Sequence, residues 1–207
     1  MKAMHIDDVL DRAHVVSLPL AVRFRGITTR EALLIEGPAG WGEFAPFLEY
    51  GPAESAAWLR AGLEAAYEGF PEPVRDSIEV NATIPAVPAS EVPAVVERYP
   101  GCRTFKIKVA EKGHTLADDA ARVRAVRDAV TQRGDIPILR VDANGGWSVE
   151  EAVEAAQMMM PLDYMEQPCA TTEELAQVRG RLMRAGLFVR VAADESVSYT
   201  HLTLPTN

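Results

Sequence analysis

Thr104-Phe105-Lys106-Ile107-Lys108-Val109, the stretch 116–132 and Ile136-Pro137-Ile138-Leu139-Arg140-Val141-Asp142 together form one strand–helix–strand unit. The two outer runs are short, apolar and rich in β-branched residues, and the stretch between them carries its apolar residues at helical spacing. Apolar strands joined through a helix, about 30 residues per unit, lie parallel in one sheet. The same rhythm continues on both sides. Strands are expected at 78–84, 104–109, 136–141, 162–165 and 188–192, with helices at 91–98, 116–132, 149–158 and 172–184. Ser148 and Thr171 or Thr172 are good caps, with acidic residues in the first helical turn. This is an α/β chain, and the periodicity fits an open doubly wound sheet as well as a (β/α)8 barrel.

Upstream of that rhythm the pattern changes. Residues 20–24 and 32–36 read as strands of a small antiparallel sheet, with Gly37, Pro38 and Gly40 supplying the turn. Residues 53–67 then follow helical spacing behind Pro52, and Phe70-Pro71-Glu72-Pro73 breaks the pattern as a domain junction would. The expected organisation is an α+β domain over 1–77 and a parallel α/β domain over 78–196.

Composition narrows the functional classes. Of 207 residues, 48% are hydrophobic and 25% charged, as in ordinary globular chains. A net charge of -9 speaks against a nucleic-acid partner, which needs clustered Lys and Arg, and against docking on anionic lipid. No apolar run approaches the ~20 residues of a membrane span, and residues 1–8 lack the pattern of a secretory signal, so a cytoplasmic protein is expected. Cys102 and Cys169 are too few for a disulfide framework and lack zinc-ligand spacing. The run from Gly37 to Gly42 is no dinucleotide loop, because no helix start follows it. Trp41 and Trp147 read as packing residues, and nothing in the sequence sets the oligomeric state.

The ionisable residues fall at informative places. Alternation along a strand puts Lys106 and Lys108 on one face. Mutual repulsion and partial burial are then expected to lower their pKa values towards the range of a base near neutrality; the alternative is an edge strand with a solvated lysine face. Asp142, Glu166 and Asp194 each end a strand candidate, 24 residues apart from 142 to 166 and 28 from 166 to 194, about one unit each. The carboxyl ends of parallel strands lie side by side, and α/β folds place their sites there. Three carboxylates converging on that edge call for a cation, and hard oxygen donors suit Mg2+ better than zinc. A metal opposite a lysine base suits proton abstraction beside a carboxylate.

Lys106-Ile107-Lys108, Val141-Asp142-Ala143-Asn144, Met165-Glu166-Gln167-Pro168 and Ala193-Asp194-Glu195-Ser196, in this order and spacing, resemble the enolase superfamily and within it the muconate-lactonising subgroup. The segments 24–31, 40–47 and 80–86 resemble the o-succinylbenzoate synthase family of actinobacterial type, and the likeness runs over about 14–196. It implies an α+β capping domain followed by a (β/α) barrel, here truncated after about its fifth strand. Carried over to this sequence, Lys108 would be the acid/base of a syn dehydration and Lys106 an electrostatic partner near the substrate carboxylate. Asp142, Glu166 and Asp194 would bind Mg2+, with Asn144 close by. The capping loop over 23–29 would lie over the site, with Arg25 a substrate contact. The implied reaction converts 2-succinyl-6-hydroxy-2,4-cyclohexadiene-1-carboxylate to o-succinylbenzoate in menaquinone biosynthesis, so the partner is a small carboxylate. The alternatives are an N-succinylamino-acid racemase of the same superfamily and a non-catalytic binding protein.

Two departures from that family stand out. Its further lysine on the next strand, and the three strands that close its barrel, have no counterpart here, so a fragment with little or no activity is expected. Residues 197–207 contain no Asp, Glu, Lys or Arg. Codons that would encode them match a transposase-library adaptor read in frame, and a non-native tail is expected there.

Overall fold

The computed structural model describes residues 5–24 and 27–197, so Arg25 and nearly all of the expected tail lie outside the described residues. The chain divides into two compact units, Met1–Ser77 and Ile78–Asn207.

In the first unit a short helix α1 (Ile6–Leu10) precedes three antiparallel strands, β1 (Ala13–Phe24), β2 (Ile27–Gly37) and β3 (Gly40–Phe44), and a helix α2 (Pro52–Tyr67). The strand patterns at 20–24 and 32–36 mark parts of β1 and β2. β3 escapes a pattern search because two of its five residues are glycine, and the helix explains why. A Cβ on Gly42 would collide with the Gly62 carbonyl of α2, and one on Gly37 would collide with Ala66. Glycine on both elements lets the backbones touch. Val9, Ile35 and Ala66 are buried there, with Leu33, Leu59 and Leu63 against them. Trp41 is not the packing residue expected: it is 57% exposed, beside the ring of His14.

The second unit is a five-stranded sheet in the order β4 (Ala82–Ile84), β5 (Thr104–Lys108), β6 (Ile138–Asp142), β7 (Tyr164–Glu166), β8 (Arg190–Ala192). Every pairing is parallel. Helices α3 (Val92–Val96), α4 (Leu116–Gln132), α5 (Val149–Met159) and α6 (Thr172–Arg184) connect them. Spatial order equals sequence order. A doubly wound sheet reverses its order at a switch point, whereas right-handed crossovers that never reverse keep every helix on one face. The sheet is therefore an arc of a barrel. Its helix side forms the core: Phe105, Ile107, Val141 and Met165 from the strands meet Val123, Val126, Ala156 and Val178 from the helices. The first strand is shorter than the pattern 78–84, because Ile78 and Val80 have no layer over them and stay exposed.

Three helices open on capping boxes. Thr115 with Asp118, Ser148 with Glu151 and Thr171 with Glu174 each exchange side-chain and backbone hydrogen bonds. Thr171, not Thr172, is thus the cap of α6, and Thr115 adds a cap that the pattern at 148 and 171 did not include.

Candidate active site

Strand alternation sorts β5 cleanly. Phe105 and Ile107 turn to the helices and are fully buried, while Lys106 and Lys108 turn to the other face. The sheet register extends this into a row: Lys108 stands opposite Asp142, Asp142 opposite Glu166, and Glu166 opposite Ala192. Strand-end side chains in a parallel ladder share one face, so an ammonium and two carboxylates become neighbours across three strands.

The contacts follow. Lys108 Nζ donates to Asp142 Oδ2 at 2.5 Å and to Asn144 Oδ1 at 2.8 Å. Lys106 Nζ donates to Glu166 Oε1 at 2.8 Å and lies 3.2 Å from the same Asp142 Oδ2. Asp142 is almost fully buried, and its Oδ1 accepts from the Asn144 backbone N–H at 3.2 Å. The expected lowering of both lysine pKa values is overturned at Lys106. Burial alone pulls it down, but the Glu166 hydrogen bond, the charges of Asp142 and Glu166, and a second hydrogen bond to Asp142 outweigh that, and it is held above its ordinary value. The repulsion between the lysines is absorbed by an oxygen they share.

Asp194 follows β8, and its backbone N–H donates to Gln167 Oε1 at 2.7 Å. Among the described residues, no three His, Cys, Asp or Glu side chains stand close enough to hold an ion. Asp142 and Glu166 are brought together, bridged by Lys106, with Lys108 on Asp142 as well. Asn144 lies within hydrogen-bond distance of Lys108 and Asp142, and Arg25 lies outside the described residues.

Two further groups escaped the sequence reading. Asn144 Nδ2 donates to Glu195 Oε1 at 2.7 Å, which ties Glu195 to Lys108 through one amide. Behind the site, Asp119 and Arg122 of α4 are each 1% exposed and pair at 2.6 Å. Arg122 also donates to the Lys108 carbonyl at 3.0 Å and to the Val87 carbonyl at 2.6 Å, and Asp119 accepts from the Ala110 N–H at 2.8 Å. This pair clamps the strand end from which Lys108 projects. A signal existed in the sequence, since two charged residues three apart share a helix face with Val123 and Val126.

The chemistry of the donor groups, rather than their spacing here, fits a divalent cation. Asp142 and Glu166 share the two ammonium groups, and Glu195 is joined to Lys108 through Asn144. Glu195 Oε2 is buried without a hydrogen-bond partner, a costly state for a carboxylate oxygen. All the donors are hard oxygens, of the kind Mg2+ takes.

A parallel sheet wound in sequence order, with acidic and ammonium groups at the carboxyl ends of its strands and an α+β unit ahead of it, defines a barrel protein of the enolase type. Residues 15–66 match the family Enolase N-terminal domain-like, and residues 89–202 match Enolase C-terminal domain-like. The chain belongs to the enolase superfamily. It is 58% identical over 195 residues to the o-succinylbenzoate synthase of Mycolicibacterium smegmatis, covering 93% of this chain and 57% of the relative. It is 57% identical over 195 residues to that of Mycobacterium leprae, covering 93% and 55%. The chain thus spans little more than half the length of these relatives. Among solved structures it resembles the L-Ala-D/L-Glu epimerase of Bacillus subtilis, with a TM-score of 0.66 and 26% identity over 89% of this chain and 67% of that one. The o-succinylbenzoate synthase of Thermosynechococcus elongatus BP-1, complexed with Mg in its active site, shares the fold with a TM-score of 0.57 and 22% identity, over 89% and 68% of the two chains.

Proposed function

We propose that the chain carries the capping and metal-binding part of an o-succinylbenzoate synthase, which dehydrates 2-succinyl-6-hydroxy-2,4-cyclohexadiene-1-carboxylate to o-succinylbenzoate in menaquinone biosynthesis. The observation that carries this reading is the row Lys108, Asp142, Glu166, with Lys106 on the same two carboxylates. The relatives named above support the choice of reaction within the superfamily.

Asp142, Glu166 and Asp194 would hold Mg2+, which supplies charge stabilisation for the dianion formed when a proton leaves the carbon beside a carboxylate. A lysine base paired with Mg2+ is a recurring arrangement in this superfamily. Lys108 Nζ, as the neutral amine, takes the ring proton, and the ammonium so formed gives it to the departing hydroxyl, so one C–H and one C–O bond break, one C=C bond forms, water leaves and the amine is restored. Asn144 holds the ammonium in place from one side and Asp142 from the other. Lys106 stays cationic beside them and favours the anionic substrate. In the 207-residue chain alone, turnover is expected to be negligible.

The test joins residues 1–196 to the carboxyl-terminal remainder of the M. smegmatis relative and assays o-succinylbenzoate formation with Mg2+. Turnover is expected, and Lys108→Ala is expected to lower it by about 10²–10⁴-fold, the usual worth of a positioned acid/base. A folded, Mg2+-replete chimaera that leaves the cyclohexadiene substrate untouched overturns the proposal. The L-Ala-D/L-Glu epimerase among the structural neighbours keeps open a second reading, an epimerase or N-succinylamino-acid racemase that uses Lys108 together with a second lysine supplied by the remainder of the barrel. Racemase activity without dehydration in that chimaera would select it.

A further inference from the structure

Gln167 follows Glu166 directly, is fully buried, and has its backbone in the left-handed region at φ 37. Its side-chain amide is engaged at both ends. Oε1 accepts from the backbone N–H of Asp194 at 2.7 Å and of Ser196 at 3.3 Å, and from the Ser196 hydroxyl at 3.1 Å. Nε2 donates to the carbonyls of Cys169 at 2.8 Å and Ala170 at 3.5 Å. The backbone of the same residue reaches both neighbouring strands. Its N–H donates to the Ala192 carbonyl at 2.8 Å, and its carbonyl accepts from the Gly145 N–H at 2.7 Å.

The segments that follow β6, β7 and β8 therefore meet on one residue, and Asp142, Glu166 and Asp194 end or closely follow those strands. Only a primary amide satisfies both ends of this arrangement. A carboxylate would turn an oxygen towards two carbonyls, and an apolar chain would orphan buried N–H and C=O groups.

We propose that Gln167 is a positioning residue for the cation site: by fastening the Asp194 backbone to the end of β7, it sets where the third carboxylate stands relative to Asp142 and Glu166. This rests on the Mg2+ reading above. Outer groups that orient a ligand typically account for 10–100-fold in metal affinity, and Gln167 acts on the backbone of one ligand while following another in the chain.

The experiment measures Mg2+ binding to the whole chain by calorimetry, at a temperature where circular dichroism shows each variant folded. Gln167→Met, close in length and volume, is expected to weaken binding about 10-fold or more. Val178→Ala, in the core of the following helix, lowers stability and is expected to leave Mg2+ affinity unchanged. The double variant Gln167→Met/Asp194→Asn is expected to bind no more weakly than Asp194→Asn alone, because the amide acts through that ligand. Unchanged affinity in Gln167→Met, or additive losses in the double variant, overturns the inference while leaving the Mg2+ reading standing. Wild-type chain that binds no Mg2+ removes that reading and the inference with it. Should Gln167→Met fail to fold, Gln167→Asn keeps the amide but withdraws it by one methylene; the same weakening is expected, and unchanged affinity overturns the inference.

Discussion

Asp142 Oδ2 accepts from two ammonium groups at once, and Lys106 is held up against the pull of burial first by its hydrogen bond to Glu166 and then by the charge of Asp142. Because its folded pKa is raised, Lys106 contributes stability in full below its ordinary value of 10.5 and loses it as the pH rises through the higher folded value. The difference in unfolding free energy between wild type and Glu166→Gln is therefore expected to hold steady near neutrality and to close above 10.5, read from urea midpoints across pH. A constant difference at alkaline pH would contradict it. The Asp119–Arg122 pair is a different case, closed off from water. Asp119→Ala leaves the guanidinium buried without its partner and is expected to cost about 3–5 kcal/mol in urea unfolding; Arg122→Met in the same background should recover part of that loss. The sequence made the lysines and strand-end carboxylates legible because alternation and unit spacing fix a strand residue's face and height. Glu195 and Gln167 were not legible as site residues. Their partners are backbone groups and an amide from other units, and no period in the sequence records such a meeting.

At the scale of elements, the helices 116–132 and 172–184 match the observed α4 and α6 residue for residue, because cap, periodic stripe and end signal agree. In the second unit, four strands begin later than their apolar patterns, since an apolar run does not pair where no helix covers it, as at Ile78, Val80 and Ile136; β1 and β2 instead run longer than theirs. The capping boxes give a direct test. Ser148→Ala is expected to lower stability by about 1 kcal/mol in urea unfolding. Its partner Glu151 is held below its ordinary value of 4.5, mainly by the Ser148 backbone hydrogen bond and then by the Ser148 hydroxyl. A lowered carboxylate contributes stability above its unfolded value and loses it as the pH falls through the folded one. The gap between wild type and Glu151→Gln should therefore close as the pH drops below 4.5. A gap that persists in acid would assign the effect to packing.

On the scale of the whole molecule, the long parallel rhythm was legible and the direction of winding was not, because strand order depends on which face each helix packs against. Among the described residues, β4 and β8 each pair on one side only. Beside β8, Phe188 is 88% exposed, and Met183, Leu187 and Val191 line a groove with it. Open edges with apolar flanks associate. The chain is expected to self-associate in sedimentation velocity runs, and Phe188→Asp to shift it towards the monomer; a wild-type chain that stays monomeric at high concentration would refute this. Among the described residues no helix is long and apolar enough to cross a membrane. One regularity reaches beyond stability. From β5 to α6 every unit keeps one order: a strand-end lysine or carboxylate, a left-handed residue (Ala110, Asn144, Gln167), then a capping box (Thr115, Ser148, Thr171). A crossover between related genes at a helix carboxyl terminus would exchange a site residue together with the turn that aims it and the cap that starts its helix. Such genes can be shuffled unit by unit, and the amide of Gln167, which reaches into the next unit, marks a seam where two must travel together.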